Sequence, residues 1–220
     1  MLRRRQGMSI KTFIEQQLTG VVLEPPVFYN AKVGIRFEAG PSDSSIDDQT
    51  YFAIVKERAI TLFQALFQPD QTIYIVVGSY ESIEPMEWEV AGMVDFTSTF
   101  LSDQLQQAIE EIYKEPSLDE DTNELTGYSI MYGVRCMVSD VDCASLLGAI
   151  GGFSEKKESV VDRLYFIDPD RRIVFHMYDN RGIDIVASRK EDITFLYNRF
   201  NEWILYYDRE QIDEIFGQES

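Results

Sequence analysis

One histidine, two cysteines and thirty-eight carboxylates bound the chemistry open to this chain. His176 has no second histidine to share a metal, and no CxxC pair stands near it, so a zinc ligand set is missing. Any Ser-His-Asp or Cys-His route to a nucleophile would have to pass through His176 itself. That residue lies inside the apolar run Ile173–Met177, which reads as a strand, and a half-buried sheet position is its expected role. Cys136 and Cys143 read as small buried thiols rather than a redox pair. The phosphate-cradling and nucleophile-elbow patterns GxxxxGK[ST], GxGxxG after a strand, GxSxG and HExxH are absent. Gly148-Ala149-Ile150-Gly151-Gly152 is glycine-rich, but it ends a helix instead of opening one, so it offers no phosphate site. Carboxylate pairs are too abundant for their spacing to mark acid–base work. No catalytic, metal-ligating or cofactor-binding residue follows, and no cofactor is expected.

The densest polar cluster is Tyr178-Asp179-Asn180-Arg181-Gly182, with a second Tyr-Asp-Arg at Tyr207, Asp208 and Arg209. Three roles fit these residue types. Asp179 and Arg181 can pair across a tight turn and, with Tyr178 and the second cluster, tie the closing helix to the sheet. They can instead form a binding site, or a catalytic one. The turn itself is expected from Asp179 bonding its own backbone, with Gly182 supplying a positive φ.

These residues must be held by the elements around them. Leu164–Ala187 reads as three strands joined by two turns, the first being Asp168-Pro169-Asp170-Arg171. In Arg163–Asp168 and Arg172–Tyr178 apolar side chains fill both alternation phases, so these two strands are covered on both faces over most of their length. Upstream, Ser9 caps a short helix to about Leu18, and Pro25-Pro26 imposes extended backbone. Ala31–Glu38 alternates as a half-buried strand, with Val33, Ile35 and Phe37 inward. The stripe Phe52, Val55, Ala59, Leu62, Phe63, Leu66 marks a packed helix over 49–67, capped by Asp47 or Asp48. Thr72–Ser79 is a buried strand. A helix over 102–114 follows from Leu105, Ile109 and Ile112, and 115–124 reads as an acidic loop. Gly127–Val138 is a strand, Asp140 caps a helix through Ile150, and a closing helix spans 191–204 with Ile193, Leu196, Phe200 and Trp203 inward. A last turn, 208–216, is also helical. The fold class is therefore α+β: an antiparallel or mixed sheet flanked by helices, with a C-terminal three-stranded meander and a closing helix. Residues 1–220 are taken as one domain, with a sub-division near 115–126 between 1–114 and 127–220 as the alternative.

The sequence YDNRG, together with WILYYDRE at Trp203–Glu210 and GIRFEAG at Gly34–Gly40, resembles a bacterial family known as domain of unknown function 3885. Tyr178, Asp179, Arg181 and Gly182 match its YD-D/N-RG motif, and Asn180 stands where Asp is commoner. The resemblance is carried mainly by the C-terminal part of the chain. It implies a bacterial cytoplasmic protein and implies no activity.

Charge points elsewhere on the chain. The net charge is −18, and residues 81–124 hold thirteen acids against the single Lys114. Nucleic acid is a poor partner for such a surface, because phosphate contacts need Lys and Arg. A basic protein would be steered toward it. Glu84, Glu87, Glu89, Glu115, Asp119, Glu120, Asp121 and Glu124 form the expected acidic interaction segment. No apolar run is long enough to span a membrane, and the basic start, MLRRRQG, lacks the apolar stretch of a secretory signal; Met8 is an alternative start. A cytoplasmic location is expected. The leading functional expectation is a non-enzymatic acidic protein-binding module, of an immunity or antitoxin kind. The alternatives are a small-ligand binder or enzyme built on Tyr178, Asp179 and Arg181, and a purely structural motif with function in the acidic middle.

Overall fold

The computed structural model describes residues 8–41, 45–84, 97–152 and 163–217. Seven strands form one antiparallel sheet: β1 (Gly34–Glu38), β2 (Thr72–Ser82), β3 (Glu110–Leu118), β4 (Leu125–Met137), β5 (Arg163–Asp168), β6 (Ile173–Met177) and β7 (Gly182–Ala187). Their order across the sheet is β1-β7-β6-β5-β2-β4-β3. The meander β5-β6-β7 therefore fills the centre, and β1 pairs with β7 through Gly34↔Val186 to Glu38↔Gly182. β2 pairs with β4 on one side and β5 on the other, so a single sheet includes residues before and after the acidic turn at 119–124.

Strand alternation explains the two layers that cover the sheet. The first of them is the N-terminal segment. Here α1 (Ile10–Gln16) and the chain after it bury Ile10, Phe13, Leu18, Val21, Leu23 and Val27 against Tyr74, Val76, Tyr165, Ile167, Val174 and Val186. The Tyr165 hydroxyl donates to the Leu23 carbonyl at 3.1 Å, which fixes the cover in place. The residues of β1 assumed to face solvent are therefore enclosed, and Arg36 is only 8% exposed.

The other face presents Ile35, Phe37, Ile73, Ile75, Phe166, Phe175, Ile183 and Ile185. Against it pack α2 (Asp48–Leu66), α3 (Asp103–Gln106), α4 (Cys143–Ile150), α5 (Thr194–Arg199) and α6 (Arg209–Phe216). The stripe read from the sequence of α2 is the one that is buried, with Val55, Ala59 and Leu62 fully enclosed. Asp47 caps that helix, its carboxylate accepting the Thr50 N–H at 2.9 Å. Phe63 meets Phe166 and Phe175 edge-on, with centroids 5.0 and 5.6 Å away.

Two helices foreseen from spacing take other forms. Residues 102–114 hold only the short α3 before β3 begins at Glu110. Ile112 is buried from the strand, so its spacing from Leu105 and Ile109 imitated a helical face across two elements. The closing helix over 191–204 is broken into a 3₁₀ turn (Lys190–Asp192), α5 and a second 3₁₀ turn (Asn201–Trp203), because Ile193 and Phe200 leave the helical region. Their side chains are buried as expected, Ile193 completely. Among the described residues no helix is long and apolar enough to cross a membrane.

Candidate functional site

Strands β6 and β7 of the meander carry one ionisable side chain each on the N-terminal face, and register brings them together. Asp184 of β7 lies opposite Arg36 of β1 on one side and opposite His176 of β6 on the other. Arg36 grips the Asp184 carboxylate with both arms of its fork, Nε to Oδ1 at 2.7 Å and Nη2 to Oδ2 at 3.0 Å. Asp184 also accepts the Phe28 N–H at 3.1 Å. A second carboxylate arrives from the closing segment. The Leu205 N–H donates to the Arg36 carbonyl, and Ile204 bridges Phe37 at the edge of β1. This places Asp208 with Oδ2 3.4 Å from Arg36 Nη1, while its Oδ1 accepts the Tyr29 hydroxyl at 2.6 Å. Burial disfavours charge on Arg36, but its hydrogen bonds to Asp184, together with the attraction of Asp184, Tyr178 and Asp208, outweigh that cost, so the guanidinium pKa moves up. The guanidinium also stands over the Tyr29 and Tyr178 rings, 4.7 and 5.6 Å from their centroids.

His176 continues this row. It is fully buried, where the sequence suggested half-burial. Its Nδ1 lies 2.9 Å from the Leu164 carbonyl oxygen, and its ring is 4.8 Å from that of Tyr165. Burial lowers its pKa, and nearby Arg36 adds to the effect against the weaker opposing pull of the Leu164 bond and Asp184. A pocket of about 430 Å³ opens over this end of the sheet, lined by Pro25, Pro26, Arg36, His176, Tyr178 and Arg181.

The YDNRG turn forms one rim of that pocket. Asp179 Oδ1 accepts the Arg181 N–H at 2.7 Å, the local bond anticipated for this residue. Its other oxygen takes Arg181 Nε at 2.7 Å, in a pair whose arginine is 77% exposed. Arg181 and Asp179 thus satisfy each other at the surface. Gly182 does not adopt a positive φ; the left-handed glycines among the described residues are Gly20 and Gly152. Glycine is needed at 182 because a Cβ there would overlap the Tyr178 hydroxyl and stand 2.5 Å from Cζ. Tyr178 lies across the turn, and burial pushes its phenol up to about 12.

The second Tyr-Asp-Arg divides its duties. Asp208 reaches the pocket's supporting network through Arg36, not through Arg181. Arg209 turns away to Asp213 at 3.0 Å and to the Asn201 side chain at 2.6 Å. Tyr207 joins neither, being 84% exposed beside Tyr206 at 87%. These two rings border an open recess of about 950 Å³ lined also by Tyr197, Arg209, Glu210, Asp213, Glu214 and Gly217.

The acidic segment lies at the opposite edge of the sheet. Glu84 is exposed at the end of the described part of the β2 extension, and Glu87 and Glu89 lie outside the described residues. Glu115 is on β3, and Asp119, Glu120, Asp121 and Glu124 occupy the turn of the β3–β4 hairpin. Asp119 builds that turn. Its Oδ1 accepts the Thr122 N–H at 2.8 Å, and the bond lowers its pKa. Lys114 is tied to Glu81 at 2.8 Å. Cys136 and Cys143 are both buried and free, and burial pushes each thiol up to about 12, which leaves them protonated and unreactive.

The matching family model, described as a domain of unknown function, spans residues 10–208, from the first helix to the aspartate that contacts Arg36. The chain belongs to this family, domain of unknown function 3885. A relative is the uncharacterized protein YnaE of Bacillus subtilis (strain 168), 22% identical over 219 residues, covering 91% of this chain and 99% of that protein. No solved structure matches. The Tyr29–Arg36–Asp184–Asp208 network and His176 all fall within the family's span, whereas most of the recess beside Tyr206 and Tyr207 lies beyond it.

Alternation in Ala31–Glu38 puts Arg36 on the outer face of a half-buried strand, and nothing local to Asp184 indicates which strand will lie beside it. The available signal is a charge inside each of two largely apolar strands, Arg36 in GIRFE, which ends on Glu38, and Asp184 in GIDIVA. Opposite charges isolated in buried strands pair with one another.

Proposed function

We propose that this protein is a non-enzymatic, acidic protein-binding module of the immunity or antitoxin kind, acting in the cytoplasm as one domain. The observation that carries this reading is the pair Tyr206 and Tyr207, 87% and 84% exposed on a 3₁₀ turn whose last residue, Asp208, is buried. Adjacent tyrosines held outward by an anchored turn present apolar area at small entropic cost, which is the character of binding hot spots. Monomeric proteins have no folding reason to expose both rings.

The partner's chemistry follows from the rim. Glu210 and Glu214 are exposed on α6 beside the recess, and the nearby Arg209 is already spent on Asp213 and Asn201. A net charge of −18 adds long-range attraction for a cationic protein. The acidic hairpin turn at the far edge, with Glu120, Asp121 and Glu124 exposed, supports the same choice of partner by steering.

Affinity capture in the native host, comparing the wild-type chain with Tyr206→Ala/Tyr207→Ala, tests this. The expected outcome is a basic protein retained by the wild type and released as salt rises. Hot-spot truncations cost about 2 kcal/mol or more each, so the double variant should lose retention by a factor of hundreds or more. Equal retention by both chains, or none by the wild type at low salt, refutes the reading.

A further inference from the structure

We infer that the pocket over His176 binds an uncharged planar heterocycle bearing a hydrogen-bond donor beside an acceptor, the chemistry of a nucleobase or nucleoside. The inference begins with one atom. His176 Nε2 is the buried side-chain nitrogen or oxygen without a hydrogen-bond partner among the described residues. The other ring nitrogen faces the Leu164 carbonyl at 2.9 Å, and a carbonyl only accepts. Nδ1 therefore carries the proton, and Nε2 presents a bare lone pair. Burial lowers the imidazole pKa, so the ring is neutral at pH 7 and that lone pair is free to accept. Buried acceptors of this kind are nearly always satisfied in folded proteins, and one left open beside a pocket points to a donor brought by a ligand.

The remaining walls restrict what the ligand is. Pro25, Pro26 and Tyr178 supply flat, mainly apolar surfaces, and an aromatic ring is a stacking platform for a base. Arg36 has five N–H donors, three of them directed to Asp184 and Asp208, which leaves two for an acceptor on the ligand. Its charge is already matched by those two carboxylates, and that of Arg181 by Asp179. A phosphate or carboxylate would find no unmatched cation among the lining residues, so recognition rests on donors and acceptors. The volume of about 430 Å³ is that of a small-molecule site and exceeds what one base needs. Nε2 is covered, so the ligand reaches it with a side-chain shift at the wall, an ordinary accompaniment of binding.

His176 is the chain's single histidine, which makes the test free of assignment. The ¹⁵N signals of the imidazole are followed in the full chain during titration with adenosine, guanosine, cytidine and uridine. The 5′-monophosphate of each nucleoside and inorganic phosphate are titrated in parallel. The expected result is a saturable upfield shift of the Nε2 resonance with at least one nucleoside, no tighter binding by its monophosphate, and none by phosphate. His176→Phe keeps the bulk and removes the acceptor, and should weaken nucleoside binding by about tenfold or more. The inference is overturned if no nucleoside moves Nε2 at millimolar concentration, if phosphate alone moves it, or if His176→Phe binds as well as the wild type. Should that variant fail to fold, the wild-type titration decides alone.

Discussion

Replacing Arg36 by Met keeps the aliphatic stem that packs in the sheet and deletes the fork. The side chains of Asp184 and Asp208 are 0% and 3% exposed, so both carboxylates would stay in the interior without their cation. Asp184 would retain the Phe28 N–H, and Asp208 the Tyr29 hydroxyl. Two neutral donors do not balance two buried negative charges. Breaking a buried ion pair from one side costs about 3–5 kcal/mol, against a typical domain stability of about 5–15 kcal/mol. For a chain of this size that is a fall in melting temperature of roughly 10 °C. Adding Asp184→Asn to the Arg36→Met variant removes one stranded charge while still accepting the Phe28 N–H, and should restore about 1–3 kcal/mol. Urea unfolding at pH 7 measures all three proteins. An Arg36→Met cost below about 1 kcal/mol at pH 7 would refute the account of this network.

Gly182→Ala should destabilise by about 1–3 kcal/mol through overlap with the Tyr178 ring; Tyr178→Ala in the same chain should cancel most of the added cost, a coupling that a double-mutant cycle reads directly. Arg181→Ala should leave the melting temperature unchanged within error, since its partner Asp179 is local and the arginine is exposed; a clear fall by calorimetry would show that the turn is held through that pair. The depressed pKa of His176 gives a pH dependence of its own. The unfolded chain takes up the proton near pH 6.5 while the folded chain resists. Stability is thus complete above pH 6.5 and declines as pH falls, by at most about 1.4 kcal/mol per pH unit. His176→Phe should abolish that component of the pH 5–7 slope, and an unchanged slope would place His176 in contact with solvent.

The meander was legible because Asp168-Pro169 and Asp179 each mark a turn by their own side-chain chemistry. Asp168 accepts the Asp170 and Arg171 N–H groups at 2.9 and 3.0 Å, as such a turn requires. The α2 stripe and its Asp47 cap were legible for the same local reason. What sequence could not reveal is long-range. Tyr29, Arg36, Asp184 and Asp208 are separated by up to 179 positions, and their meeting depends on strand order and on which segment covers the second face. Neither is written in local periodicity. The misread helix at 102–114 has the complementary cause: three apolar residues at helical spacing cannot distinguish one amphipathic helix from a turn followed by an edge strand.

The network's position bears on how the two proposed surfaces are separated experimentally. Asp208 follows the exposed tyrosines directly, and Arg36, which it contacts, lines the pocket. Arg36 thus stands between the two surfaces, joined to the closing segment through the Leu205 N–H and to the N-terminal cover through Asp184 and Phe28. Any substitution of Arg36 disturbs both surfaces through the fold, so its effect on either interaction carries no assignment. Tyr206 and Tyr207 project outward and hold nothing in place, whereas His176 is enclosed on the sheet. Their substitutions act on one surface each. If Tyr206→Ala/Tyr207→Ala abolishes protein capture and leaves nucleoside binding untouched, and His176→Phe does the reverse, the two surfaces are independent. A loss of both by either substitution would mean that the Arg36 network transmits between them.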